Sequence, residues 1–227
     1  MQQQRRLCLS ETTHRAEVWL QVASIKPFPY LCSRIKYYPM HRHFILFKPY
    51  GYVSQFISET SKKKVLGELY GFPEGTMAIG RLDEASEGLL LLTTDGKVSE
   101  AVRGSTVEKE YYAQVDSVVT EEALQQLAQG ISIRTEKEWH QTKPCRVQRL
   151  EAAPELPERA RRIRDERHGP TSWVSITLTE GKFRQVRKMT AAVGFPTLRL
   201  VRVRIGNIRI SEMAAGEVRE VSCFDVA

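Results

Sequence analysis

The chain has 227 residues, 41% of them hydrophobic, and 34 lysines and arginines against 27 aspartates and glutamates give it a net charge of +7. That length holds one large domain or two small ones; no apolar run approaches the roughly 20 residues of a spanning helix, and no apolar block follows Arg5 and Arg6, so a cytoplasmic chain is expected. The basic excess points to a polyanionic partner, nucleic acid being the commonest, and the scattered Cys8, Cys32, Cys145 and Cys223 argue for reduced thiols rather than a zinc site or a disulfide framework.

Residues 1–41 read as a basic N-terminal arm, broken by Pro27, Pro29 and Pro39, with one short strand around Val18–Ala23. A single domain is expected over 42–227, and Met40, directly before its first strand, is an alternative start. His43–Lys48 predicts a strand, Pro49-Tyr50-Gly51 a turn, and Tyr52–Phe56 a return or an extension. Val65–Leu69 predicts a helical turn, and Met77–Ile79 a strand leading into Gly80-Arg81-Leu82-Asp83. Leu89–Leu92 do not alternate with polar residues, so they predict a strand buried on both faces, with Asp83 at its rim. Lys97–Arg103 predicts a short helix stopped by Gly104.

Lys109–Asp116 has the aromatic and β-branched content of a strand. Thr120 is placed to cap a helix over Glu121–Ala128, with Gly130 as its end. Ile131–Arg134 and Lys143–Glu151 predict strands. Ala152–Pro170 holds Pro154, Pro157 and Pro170 and an arginine-dense run (Arg159, Arg161, Arg162, Arg164, Arg167) interleaved with Glu158, Asp165 and Glu166; a solvated loop and an RNA-contacting loop fit this composition equally. Trp173–Thr179 predicts a strand. Lys182–Val193 predicts a helix with Val186, Met189 and Val193 on one side and Arg184, Arg187 and Lys188 on a cationic face. Thr197–Arg204 alternates leucine or valine with arginine, which predicts one buried face and one basic face. Asn207–Ile210 and Glu217–Cys223 complete the strands.

No phosphate-binding glycine loop, dinucleotide fingerprint, His-Glu-x-x-His or Gly-x-Ser-x-Gly elbow is present, so nucleotide cofactors, catalytic zinc and serine hydrolysis have no support. An Asp-bearing loop, an aromatic strand and an arginine-rich helix remain. A reactive carboxylate must stay ionised in a water-poor site, and a guanidinium beside it favours that form. A base drawn out of stacked RNA needs an aromatic face and cations for its phosphates. Such a set can run carboxylate chemistry on a nucleotide without a cofactor.

Gly80-Arg81-Leu82-Asp83 followed by Ser86-Glu87-Gly88, four leucines and Thr-x-Asp-Gly resembles the signature of RNA pseudouridine synthases of the RsuA type. Lys109-Glu110-Tyr111 resembles that family's Lys-x-Tyr motif, and Gly181 to Met189 its Gly-x-x-x-Gln-Val-Arg/Lys-Arg-Met motif; Phe47-Lys48-Pro49 matches its opening. The resemblance covers about residues 43–222 in family order. It implies an α+β fold, with a mixed, mostly antiparallel central sheet and flanking helices. It also implies an isomerase that converts uridine to pseudouridine without a cofactor.

By resemblance Asp83 is the catalytic carboxylate, attacking the sugar or adding to the base. Tyr111 packs on the flipped base and Arg187 pairs with Asp83; Tyr112 points to the other face of the strand. Arg81 fills the gap in the duplex or holds a phosphate, and Arg184, Lys188 and Arg199 are further RNA contacts. Lys188 stands where an arginine is usual, which keeps the charge but loses the fork. Residues 1–42 lack the helical pattern of the S4-type module most members carry. Pro170–Trp173 and Gly194–Leu200 match the branch without it, which acts on large-subunit ribosomal RNA. No membrane and no obligate protein partner is expected, and a monomer is. Two other readings compete: a non-catalytic RNA-binding ribosome assembly factor on the same fold, and a glycoside hydrolase using Asp83 and Glu87.

Overall fold

A run of four leucines needs apolar cover on both faces, and the sheet provides it. In the computed structural model, which describes residues 41–58, 62–104, 107–164 and 166–226, strand β3 (Glu87–Thr93) is buried at every position. Leu89 and Leu91 pack with Ile79, Val102 and Ile205 on one face, while Leu90 and Leu92 meet Phe44, Leu46 and Leu66 on the other. Full burial of each such side chain contributes roughly 2 kcal/mol. The basic arm, its expected strand at Val18–Ala23 and the alternative start at Met40 lie outside the described residues, as do Cys8 and Cys32.

Strand β1 (His43–Lys48) pairs antiparallel along one edge of β3. The other edge carries β2 (Met77–Ile79), antiparallel, and β9 (Thr197–Ile205), parallel. The sheet continues from β9 to β4 (Lys109–Asp116), β8 (Thr171–Leu178) and β7 (Arg146–Leu150), and beyond β1 lies β11 (Val218–Val221). β10 (Ile208–Arg209) pairs with β9, and β5 (Ser132–Arg134) with β6 (Trp139–Gln141) forms a separate ribbon. Helices α1 (Gly96–Arg103), α2 (Glu121–Gln129) and α3 (Gln185–Ala192) flank the strands. The architecture is α+β, and every strand pair among the described residues is antiparallel except β3–β9. No helix among them is long and apolar enough to cross a membrane.

The parallel seam has two residue pairs, Glu87↔Val201 and Gly88↔Arg202. Gly88 has φ +100°, and a Cβ there would lie 2.3 Å from the Arg202 carbonyl oxygen, so only glycine lets the two backbones approach.

Three expectations need correction, and one strand, β6, was not expected. Tyr52–Phe56 forms no strand: Ser54 Oγ donates to the Leu82 carbonyl (2.8 Å) and accepts from Leu82 N (3.0 Å), which turns the segment onto the Asp83 loop. Helix α3 begins three residues late because Gln185 Oε1 accepts from Lys182 N (2.8 Å), and this side-chain bond competes with helix for residues 182–184. The expected basic face of β9 is also not open. The strand lies between β3 and β4, so Arg199 and Arg202 are buried; Arg202 Nε donates to Leu89 O (2.7 Å), and Arg204 pairs with Glu110 (2.9 Å) and Glu108 (3.0 Å).

Candidate active site

The Asp83 loop, β4 and the residues leading into α3 enclose a cleft of about 530 Å³, lined among others by Arg81, Asp83, Tyr111 and Arg184, the size of a small-ligand site. The loop is held from both sides. Ser54 grips Leu82, Gly51 N donates to Glu84 O (2.9 Å), and Ser86 N closes the turn on Asp83 O (3.1 Å). Beneath it Lys48 is fully buried, its ammonium donating to Pro49 O (3.0 Å) and Tyr52 O (2.6 Å). Burial pushes that ammonium down to about 8, with Asp83, Glu87 and Glu84 opposing.

Asp83 is 15% exposed and asymmetrically held. Its Oδ2 faces two guanidiniums, Arg184 Nη1 at 3.1 Å and Arg187 Nε at 3.4 Å. Its Oδ1 is buried without a hydrogen-bond partner. Arg187 also donates to Ala85 O (2.9 Å), Ser86 Oγ (3.2 Å) and Thr197 O (3.2 Å), which ties the Asp83 loop to the start of β9. Burial lowers the Arg187 pKa while Asp83 opposes the shift, and a guanidinium starts so high that it stays charged.

Tyr111, on β4, is buried at the cleft wall with Leu82, Leu178 and Leu200 in the same apolar cluster. Tyr112 faces the other side, against Phe47 and Val201, as strand alternation requires. Arg81 is exposed at the cleft lining. Lys188, one turn along α3 from Arg184, sits with Nζ 5.4 Å from the Phe183 ring centroid.

Arg199 does not join this group. Its guanidinium donates to both oxygens of Glu87 (2.9 and 3.2 Å) and to Pro157 O (2.7 Å), inside the protein, which leaves no face for RNA. Glu87 also takes Arg159 Nε at 2.9 Å, and its 3% exposure removes it as the second carboxylate of a glycosidase. Arg159 lies 4.0 Å from the Tyr50 ring centroid, Arg161 donates to Tyr50 Oη (3.2 Å), and Arg164 pairs with Asp116. Much of the arginine-rich loop is thus pinned to the sheet.

Sequence reading missed the support under α3. Glu180 accepts from Lys143 N (2.9 Å) and Gln185 Nε2 (2.7 Å) and lies 3.1 Å from His140 Nε2. Burial works to raise its carboxyl, but these donors leave it below the usual carboxylate range. The network fixes the turn in which Arg184 adopts φ +53°, in the left-handed region. Gln185 stands in the quoted motif, but its partner Glu180 carries no sign of the bond. Phe183, 62% exposed at the cleft lining, was legible only as a motif position. Among the described residues no group of His, Cys, Asp and Glu is arranged to hold a metal.

Residues 42–192 match the family RNA pseudouridylate synthase. The chain is 42% identical over 173 residues to a ribosomal large subunit pseudouridine synthase E of Xanthomonas axonopodis pv. citri, covering 75% of this chain and 88% of that one. A protein of the same description from Vibrio parahaemolyticus is 38% identical, with 80% and 74% covered. A solved structure described as a pseudouridylate synthase superposes with a TM-score of 0.63 at 28% identity, over 80% of this chain and 70% of that one. A loop-borne carboxylate set between an aromatic wall and two arginines is thus found on a chain that belongs to the RNA pseudouridylate synthase family, and it is an RNA pseudouridine synthase.

Proposed function

We propose that the chain isomerises a uridine of large-subunit ribosomal RNA, with Asp83 as the catalytic carboxylate and residues 42–227 acting as one catalytic domain. The names of the Xanthomonas and Vibrio relatives support the substrate. The observation that carries the site assignment is the half-buried Asp83–Arg187 pair in a cleft walled by Tyr111.

The reaction breaks the bond from the sugar's anomeric carbon to N1 and forms one to C5. The hydrogen on C5 leaves and N1 gains one, so the product is an isomer and no group is consumed. The chain's residues divide the work. Tyr111 offers a face for the extruded base. Arg187 holds Asp83 oriented and shields it from water, and the fixed carboxylate stands ready to act on sugar or base without a search for geometry. Arg81 and Lys188, at the cleft and beside it, supply cationic contacts for the RNA backbone.

Asp83→Asn is the direct test: it keeps the shape, and it should abolish pseudouridine formation while leaving RNA affinity nearly intact. Full residual activity would overturn the assignment of Asp83 as the catalytic carboxylate. Mapping pseudouridine in large-subunit RNA with and without the gene tests the substrate; an unchanged map sinks it.

A further inference from the structure

We infer that Arg184 is an exchangeable partner of Asp83: it shares the carboxylate in the free protein and moves to a phosphate flanking the target uridine when RNA binds. The inference rests on the functional reading above and adds to it a named phosphate contact and the state of the carboxylate before substrate arrives.

Three observations converge. First, Arg184 and Arg187 both address Asp83 Oδ2, at 3.1 and 3.4 Å, while Oδ1 is buried with no partner. Two donors crowded on one oxygen leave the other bare, and a group of that kind inside a cleft awaits a ligand. Second, the two arginines differ in their freedom. Arg187 is 10% exposed and anchored to three other residues, whereas Arg184 is 40% exposed and lines the cleft. Among the described residues, Asp83 is the partner found for its guanidinium. Third, Arg184 is a non-glycine residue at φ +53° and the N-cap of α3 without a side-chain capping bond. The Glu180–Gln185 network holds that strained backbone in place, and the side chain reaches the cleft.

The charge balance gives the direction of exchange. Two guanidiniums against one carboxylate leave this trio with a net positive charge, the complement of one phosphate. A nucleotide entering far enough for its sugar to meet Asp83 carries its phosphate past the exposed guanidinium. An arginine fork binds phosphate as well as carboxylate, and the transfer removes one of two donors that withdraw charge from the reacting group. Arg187, with its backbone anchors, stays.

The test uses the full chain, unmodified large-subunit ribosomal RNA transcribed in vitro, and two variants. Arg184→Asn removes the charge with a residue that tolerates the left-handed backbone; Arg184→Lys keeps the charge and loses the fork. The expected result for Arg184→Asn is a salt dependence of RNA affinity whose log–log slope is shallower by about one phosphate, with Arg184→Lys retaining the wild-type slope. In single-turnover kinetics Arg184→Asn raises the half-saturating protein concentration about tenfold, more than it lowers the saturated rate; Arg187→Lys shows the opposite split. A wild-type slope in Arg184→Asn, or a loss seated mainly in its saturated rate, overturns the inference. The binding arm reads Arg184 from RNA affinity and not from product, so its failure is distinct from failure of the isomerase reading, which would appear as absent pseudouridine in the wild type.

Discussion

Replacing Glu87 by alanine strands two guanidiniums inside the protein. Its carboxylate meets Arg199 at 2.9 Å and Arg159 at 2.9 Å, and the three side chains are only 3%, 10% and 10% exposed. Breaking a buried pair by removing one partner costs about 3–5 kcal/mol, because the remaining charge has neither water nor counter-ion. Arg199 keeps its bond to Pro157 O, which places the expected loss at the lower end, about 3 kcal/mol. For a domain of this size each kcal/mol moves the melting midpoint by about 2–4 °C, so Glu87→Ala should melt about 6–12 °C lower. Glu87→Gln, which keeps an acceptor but no charge, should fall between. Urea unfolding followed by circular dichroism measures the loss. Limited trypsin digestion provides a second reading, because freeing Arg159 releases the loop and should speed its cleavage. A Glu87→Ala protein that unfolds within about 1 kcal/mol of the wild type would refute the reasoning, since it would mean the buried arginines had found other partners at no cost.

Gly88→Ala forces a Cβ to 2.3 Å from the Arg202 carbonyl at φ +100°; strain and overpacking together should cost about 3 kcal/mol or more in urea unfolding, and a loss below 1 kcal/mol would show the seam to be yielding. Arg187→Lys gives up the fork that joins Asp83, Ala85 and Thr197, so the saturated rate of pseudouridine formation should fall about 100-fold; a drop under threefold would remove Arg187 from the positioning role. Lys48 yields a pH test. Its folded pKa, about 8, lies below its ordinary 10.5, so between those values the unfolded chain holds a proton that the folded chain has shed. Stability of the wild type should therefore rise with pH across that window relative to Lys48→Met, by up to about 1.4 kcal/mol per pH unit, and the gap should be flat below pH 8. A gap that stays constant from pH 7 to 10 would show that the ammonium is not held as described.

The buried leucine strand, the Asp83 loop, the Tyr111 strand and the pairing of Asp83 with Arg187 were legible because each rests on local pattern or on a motif. What was not legible depends on distant partners. Arg199 alternates with leucines as a solvent-facing residue would, and only the position of β9 between two other strands brings it to Glu87, 112 positions earlier in the chain. The arginine-dense loop gave the same ambiguity: Arg159 and Arg164 are spent on Glu87 and Asp116, and no spacing rule announces either pair. The late start of α3 turns on one side-chain bond from Gln185, below the reach of helical periodicity.

Because β9 lodges between β3 and β4, the last of the three strands to be synthesised is the one that joins the other two. A growing polypeptide that has already produced Asp83, Tyr111 and Arg187 owns every group proposed above to act on the uridine yet has no continuous sheet to bring them together. Fragments that end before Thr197 should therefore be inert toward RNA even though they contain all three side chains, and competence should appear only once β9 has joined β3 and β4.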